Sequence, residues 1–240
     1  MPDTTTSDKL IQNYSHYYDA GPTEWRRLGA LDKARNIRTL AQSLPHSTIL
    51  EIGSGDGAVL AQLSQDGFGD HYHAVEISQS AVDVIRARAI PRLVECQLFD
   101  GYNTAYANKQ FDLVILTHVL EHVEHPRMLL AEANRLAKHV FVEVPLEDNA
   151  RLKHDFVWDA VGHINFYSPR TIRHLVQSCG LQVLNQITVN PSYASYRHLN
   201  PRKAFFHYWA KQMLLKATPS IATKILTYNG ALIARSSDNA

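Results

Sequence analysis

Three groups of residues in this 240-residue chain carry types and spacings that could do chemistry. The first is Glu51-Ile52-Gly53-Ser54-Gly55-Asp56-Gly57, in which glycines alternate with polar residues. Glycine lets a backbone turn sharply and approach a ligand with no Cβ in the way. The second is His118-Val119-Leu120-Glu121-His122, two imidazoles and a carboxylate close together. Neutral histidine near its ordinary pKa can take a proton from a nucleophile. The third, Gly162-His163-Ile164-Asn165-Phe166-Tyr167-Ser168, sets another imidazole in a polar and aromatic stretch.

Each group follows or opens an element whose period can be read. Thr48–Ile52 is a short apolar run ending in glycine, as a buried parallel strand does. Ala58–Gln65 reads as a helix, His73–Ile77 as a strand, Ser80–Ala89 as a helix and Leu93–Phe99 as a third strand. Phe111–Thr117 is the fourth and most apolar strand, and Pro126–Ala137 is a helix with proline in its first turn. Val140–Val144 is a fifth strand closed by Pro145, and a helix starts at Ser168-Pro169 and stops near Gly180. Leu181–Val189 and Ile225–Ala234 read as closing strands. Helices at Ser7–Asp19 and Thr23–Ser43 precede the alternation. Alternating strands and helices imply an open, mostly parallel α/β sheet. Such sheets bind ligands beyond the carboxyl ends of their strands, here the loops after Ile52, Ile77, Phe99 and Thr117.

The glycine loop alone leaves two cofactors open. Gly53, Gly55 and Ala58 satisfy the dinucleotide pattern G-x-G-x-x-G/A, and Glu76 closes the next strand where an acid would hold ribose hydroxyls. Glu51 separates the two. A carboxylate just before the first glycine would repel a pyrophosphate but suits a ligand with ammonium and sulfonium groups. From here the chain resembles the class I methyltransferases dependent on S-adenosylmethionine (SAM), nearest the small-molecule type called methyltransferase domain 11. Ile49–Gly57 looks like their first motif, Val75-Glu76-Ile77-Ser78 their second, Phe99-Asp100 their third and Phe111–Val123 their fourth. Residues 162–168 resemble a segment that closes the site in a related subgroup.

The resemblance implies a Rossmann-like, doubly wound α/β sheet of seven strands, mostly parallel, with the last strand antiparallel. It implies SAM held by Glu51, Gly53, Ser54, Gly55, Glu76, Ile77, Asp100, Gly101, Thr117 and His118. The activity implied is methyl transfer to oxygen, nitrogen or sulfur of a small molecule. A nicotinamide-dependent oxidoreductase and a non-catalytic SAM-binding protein are the rival readings.

His122, His118 and His163 are the candidates for a catalytic base beside the transferred methyl group. Methyl transfer asks the enzyme mainly for alignment, with a base only where the nucleophile must lose a proton. The bland account has His122 packing a helix start and His163 ordering a loop. His118–His122 also matches the inverted zinc-peptidase pattern H-x-x-E-H. That motif needs a helix where a strand has just ended, so no metal is expected.

Tyr18 and Arg26 in the leading helices, and Asn165 beyond strand five, are the candidate acceptor contacts. We read residues 1–44 as a helical cover and 45–240 as the SAM-binding domain, with an insertion at about 191–224 as a possible acceptor lid. That insertion holds Arg197, Arg202, Lys203, Lys211, Lys216 and Lys224 with no acid, and Tyr193, Tyr196, Phe205, Phe206, Tyr208 and Trp209. It suits an anionic acceptor, or a core helix with solvated lysines. The net charge of +1 gives no reason to expect nucleic acid. No apolar run approaches the roughly 18 residues that span a bilayer. Cys96 and Cys179 are unpaired in pattern, and the start at Met1–Asp8 does not read as a signal peptide. A cytoplasmic protein is expected, with its oligomeric state open.

Overall fold

The apolar runs become strands whose alternate side chains fill two separate cores. A computed structural model of the chain describes residues 23–157 and 162–236. The strands are β1 (Thr48–Ile52), β2 (His71–Glu76), β3 (Leu93–Leu98), β4 (Phe111–Thr117), β5 (Ala137–Pro145), β6 (Leu181–Val189) and β7 (Asn229–Ser236). They form one sheet in the order β3-β2-β1-β4-β5-β7-β6. β1 to β5 pair in parallel, and β7 runs antiparallel between β5 and β6. The expected seven-stranded, mostly parallel sheet is therefore present.

Side-chain alternation assigns the faces. Leu50, Ile52, Val114, Leu116, Val140 and Val142 meet the helices α4 (Pro126–Leu136) and α5 (Pro169–Gln177). Ile49, Leu113, Ile115 and Phe141 meet α1 (Glu24–Ala41), α2 (Ala58–Gln65) and α3 (Gln79–Ala87) on the other face. α1 is capped by the Thr23 hydroxyl and buries Ala34 and Ile37 in that second core, as part of the helix layer. The helix read at 7–19, with Tyr18, lies outside the described residues.

Several boundaries differ from the sequence reading, three of them by a change of element. β2 ends at Glu76, so Ile77 belongs to the loop. β5 begins at Ala137, which the period had given to α4, because Phe111 of β4 pairs with it, and β7 joins on the other side from His139. The closing strand starts at Asn229 and not Ile225. Pro219 opens a helix through Ile225, and β7 takes its start from pairing Asn229 with Pro145.

The insertion is three helices: α6 (Tyr193–Leu199), α7 (Ala204–Ala217) and α8 (Pro219–Ile225). Breaks fall at Asn200-Pro201 and Thr218-Pro219, since proline forces the residue before it out of the helical region. Asp32 of α1 anchors the segment, accepting from Ser192 N (2.8 Å) and Ser195 Oγ (3.1 Å). The expected pattern of buried aromatics and solvated lysines is partly reversed. Phe206 is 76% exposed, with Phe205, Trp209 and Met213 also outward. Lys211 instead turns inward, donating to Thr227 O (2.5 Å) with its ammonium 4.7 Å from the Tyr228 ring centre. A cation over an aromatic face and a carbonyl together compensate for lost water.

Candidate functional site

β1 delivers Glu51 and then gives way to Gly53, Gly55 and Gly57, all with left-handed backbones. Gly53 has no room for a side chain: an added Cβ would lie 2.6 Å from Val119 Cγ2 in the loop after β4. Ser54 Oγ donates to the Glu51 carbonyl (2.9 Å), which fixes the turn. Asp56 accepts from Ala58 N at the start of α2 and from Arg88 Nη2 (2.8 Å), so it holds the loop in place.

Glu51 is 1% exposed. One of its oxygens accepts from the Thr117 hydroxyl (3.3 Å), and the other has no hydrogen-bond partner among the described residues. Burial pushes its carboxyl up to about 8, and the positive charge of Lys33 on α1 only partly opposes this. Glu76, at the end of β2, accepts from Gly55 N (2.6 Å) and Ile77 N (2.9 Å). Burial pushes it up to about 7 despite those donors. Two buried acids thus flank the glycine loop, tying β1 to β2.

Asp100 follows β3 and closes its own turn, where Gly101 adopts a φ of +96°. Its Oδ1 accepts from Tyr102 N and Asn103 N, and its Oδ2 from the Asn103 amide. Burial opposes its charge, but these donors outweigh burial and hold the carboxyl below its usual range.

After β4 the chain turns through His118, whose φ of +58° is uncommon for a residue with a side chain. Its Nε2 lies 3.4 Å from Glu143 Oε1 and its Nδ1 3.3 Å from Glu121 Oε1. Glu143 is held in turn by Asn36 Nδ2 of α1 (2.9 Å) and Asn229 Nδ2 (3.3 Å). Burial and Lys33 pull His118 down, yet the two carboxylates outweigh both and hold it above its ordinary value. His118 therefore stands between two buried carboxyl groups that favour its protonated form.

The segment after residue 162 is stitched to this turn. Ile164 N and Asn165 N donate to Glu121 O, and Asn165 Nδ2 donates to Leu120 O and Val123 O. His122 Nδ1 meets Gly162 O (3.2 Å), and the His122 and His163 rings stand 4.8 Å apart. Burial draws His122 below its usual range, although Glu121 pulls the other way. His163 is instead held above it, because Glu147 at 2.6 Å outweighs burial.

Glu51, Gly53, Ser54, Gly55, Glu76, Ile77 and Thr117 therefore meet around one loop, with Asp100 and Gly101 at the end of the next strand. His118, His122 and His163 gather on the β4 side. Both amide hydrogens of Asn165 are spent on backbone carbonyls, and Arg26 sits in the first turn of α1. Sequence reasoning missed Lys33, Asn36, Glu143 and Glu147. Glu143 carried a signal, an acid inside the apolar run Val140–Val144.

A methyltransferase domain family matches residues 24–186. No curated protein matches the sequence significantly. Among solved structures, a geranyl diphosphate C-methyltransferase from Streptomyces coelicolor A3(2), with Mg2+, geranyl diphosphate and S-adenosyl-L-homocysteine, superposes at a TM-score of 0.66 with 13% identity. That match covers 98% of this chain and 100% of the other. The [4+2]-cyclase SpnF superposes at 0.66 with 14% identity, over 95% and 92% of the two chains. A phosphoethanolamine N-methyltransferase from Haemonchus contortus, with phosphomonomethylethanolamine and S-adenosylhomocysteine, superposes at 0.62 with 14% identity, over 94% and 61%. The chain belongs to the methyltransferase domain family, and its fold is that of the SAM-dependent methyltransferases.

Proposed function

We propose that this methyltransferase binds SAM over the glycine loop and transfers its methyl group to oxygen, nitrogen or sulfur of a small molecule. The observation that carries the reading is Glu51, a buried carboxyl group at the carboxyl end of β1, with one oxygen lacking a hydrogen-bond partner among the described residues. A buried polar group without a partner is costly, and a cationic ligand relieves that cost. The ammonium and sulfonium of SAM supply such a cation, whereas the pyrophosphate of a nicotinamide cofactor would meet a repulsive neighbour. Glu76 can accept from the ribose hydroxyls, and Gly53, Ser54, Gly55 and Ile77 line that end. Asp100 and Gly101 face the adenine, while Thr117 and His118 bound the site from β4. Lys33, whose charge reaches Glu51, His118 and Glu143, suits the carboxylate of SAM.

Methyl transfer is an in-line displacement on carbon, and aligned reactants account for most of what the enzyme must provide. Of the three histidines, His122 is the one that burial keeps neutral, so it is the base for an acceptor that must lose a proton. His118 and His163 are paired to carboxylates and orient the wall around it. The insertion α6–α8 stands between β6 and β7, and its Arg and Lys residues suit an anionic acceptor.

Calorimetric titration with SAM, S-adenosylhomocysteine and NAD in parallel tests the cofactor. Micromolar binding of the adenosyl ligands alone supports the reading, and binding of NAD alone refutes it. SAM binding with no methyl transfer to any acceptor in a labelled-methyl screen would favour a non-catalytic SAM-binding protein.

A further inference from the structure

Glu121 poses a problem that methyl transfer leaves unsolved. It is 0% exposed, and among the described residues neither carboxylate oxygen accepts a hydrogen bond. His118 Nδ1 lies 3.3 Å from Oε1, which offers charge to one oxygen and nothing to the other. Around it, Glu121, His122 and His163 each bring one ligand-type atom within 4.8 Å of the others. We propose that Glu121, His122 and His163 form a binding site for a divalent transition-metal ion, with Zn2+ as the ion that suits two imidazoles and one carboxylate.

Three features beyond proximity support this. The first is tautomer. Gly162 O can only accept, so its partner His122 Nδ1 carries the proton and Nε2 carries the lone pair. The Glu147 carboxylate fixes His163 in the same way through Nδ1. A carbonyl or carboxylate on the far nitrogen is the usual support of a metal-binding histidine. The second is charge: a buried anion without hydrogen bonds is stabilised by a cation at its open oxygen. The third is rigidity. The backbone of 162–165 is bonded to that of 120–123, and Tyr167 Oη adds a bond to Leu120 O (3.1 Å). The set needs only to contract, since tetrahedral bonds of about 2.0–2.1 Å separate ligand atoms by about 3.3 Å.

This is not the peptidase arrangement suggested by H-x-x-E-H. Residues 118–122 form a turn and not a helix, and His118 is engaged by Glu143. The third protein ligand is His163, some forty residues along the chain. The site lies beside the acceptor side of the proposed SAM pocket, so a bound ion would present a Lewis acid to an acceptor oxygen. With an ion bound, His122 is a ligand and no longer a base.

The test uses tag-free protein stripped with EDTA and dialysed, then titrated with ZnCl2 and CoCl2 by calorimetry. Cobalt absorption in the visible range reports coordination geometry independently of turnover. One equivalent bound at micromolar affinity or tighter is expected, with His163→Ala and Glu121→Gln each weakening it about 100-fold. His154→Ala, an exposed histidine elsewhere, should change nothing. SAM titration and circular dichroism on the same samples establish that each variant is folded. If Glu121→Gln fails to fold, the His163→Ala result decides. Absence of saturable one-to-one binding, or undiminished binding in folded His163→Ala, overturns the proposal. Metal binding without SAM binding would sink the cofactor reading and leave this one standing.

Discussion

Glu51 makes cofactor binding a proton-coupled event. In the ligand-free protein its carboxyl is pushed up to about 8, so at pH 7 about nine-tenths of molecules hold it neutral. A cation placed against it favours the charged form, and the proton must leave. Binding of SAM at pH 7 should therefore release about 0.9 proton, read from calorimetry in buffers of different ionisation enthalpy. If only the carboxylate form binds, the apparent Kd falls as one plus ten to the power (8 − pH). Between pH 6 and pH 7.5 that is a gain of about 25-fold in affinity. Glu76, pushed up to about 7, adds a smaller slope of the same sign. Glu51→Gln should bind SAM at least 10-fold more weakly at pH 7.5 and lose most of the slope. A flat Kd across this range with no proton release would refute the reasoning, because it would mean that Glu51 does not meet the cation.

Other outcomes follow from the same contacts. Ligand-free protein should lose thermal stability as pH rises from about 5 to 8, because the folded state holds protons on Glu51 and Glu76 that the unfolded chain releases near 4.5. Saturating SAM should restore stability, and a melting temperature independent of pH would contradict the burial. Gly53→Ala should cost about 1–2 kcal/mol of stability, with a large loss of SAM affinity, since φ is left-handed and Val119 blocks the Cβ. Adding Val119→Ala should recover only part, which denaturant titration of the double variant would measure. Glu143→Ala leaves His118 with one carboxylate and should destabilise by about 3–5 kcal/mol, far more than an exposed pair such as Arg27–Glu24. His122→Ala should abolish turnover while SAM still binds, and normal turnover would show that His122 is not the base.

The alternation of strands with helices and the glycine loop were legible because their causes are local. An apolar run ending in glycine, or a proline after a capping serine at 168, states its own geometry. Residues whose role depends on distant partners were not. Asn36 reads as one more polar helix position until Glu143, far along the chain, is seen to accept from it. Glu147 gives no hint that it will meet His163. Lys211 looked solvated because the sequence cannot say that Thr227 O and Tyr228 fold beneath it. The left-handed turn at His118 was likewise hidden, since nothing in its type marks that backbone. The same holds for Glu121, whose open oxygens appear only once the sheet surrounds it.

The place where α6–α8 leave the sheet also bears on how this fold can vary. Val189 and Asn229 are register partners, so the chain departs from β6 and returns to β7 at one point. The two ends of the excursion are already joined by the ladder. Doubling the length of such a loop costs only about 0.6 kcal/mol of closure entropy. Residues 190–228 can therefore change in length at little entropic cost, provided the anchors at Asp32 and the buried Ala222 and Tyr228 are kept, while Glu51, Gly53 and Glu76 stay on the strands that carry them.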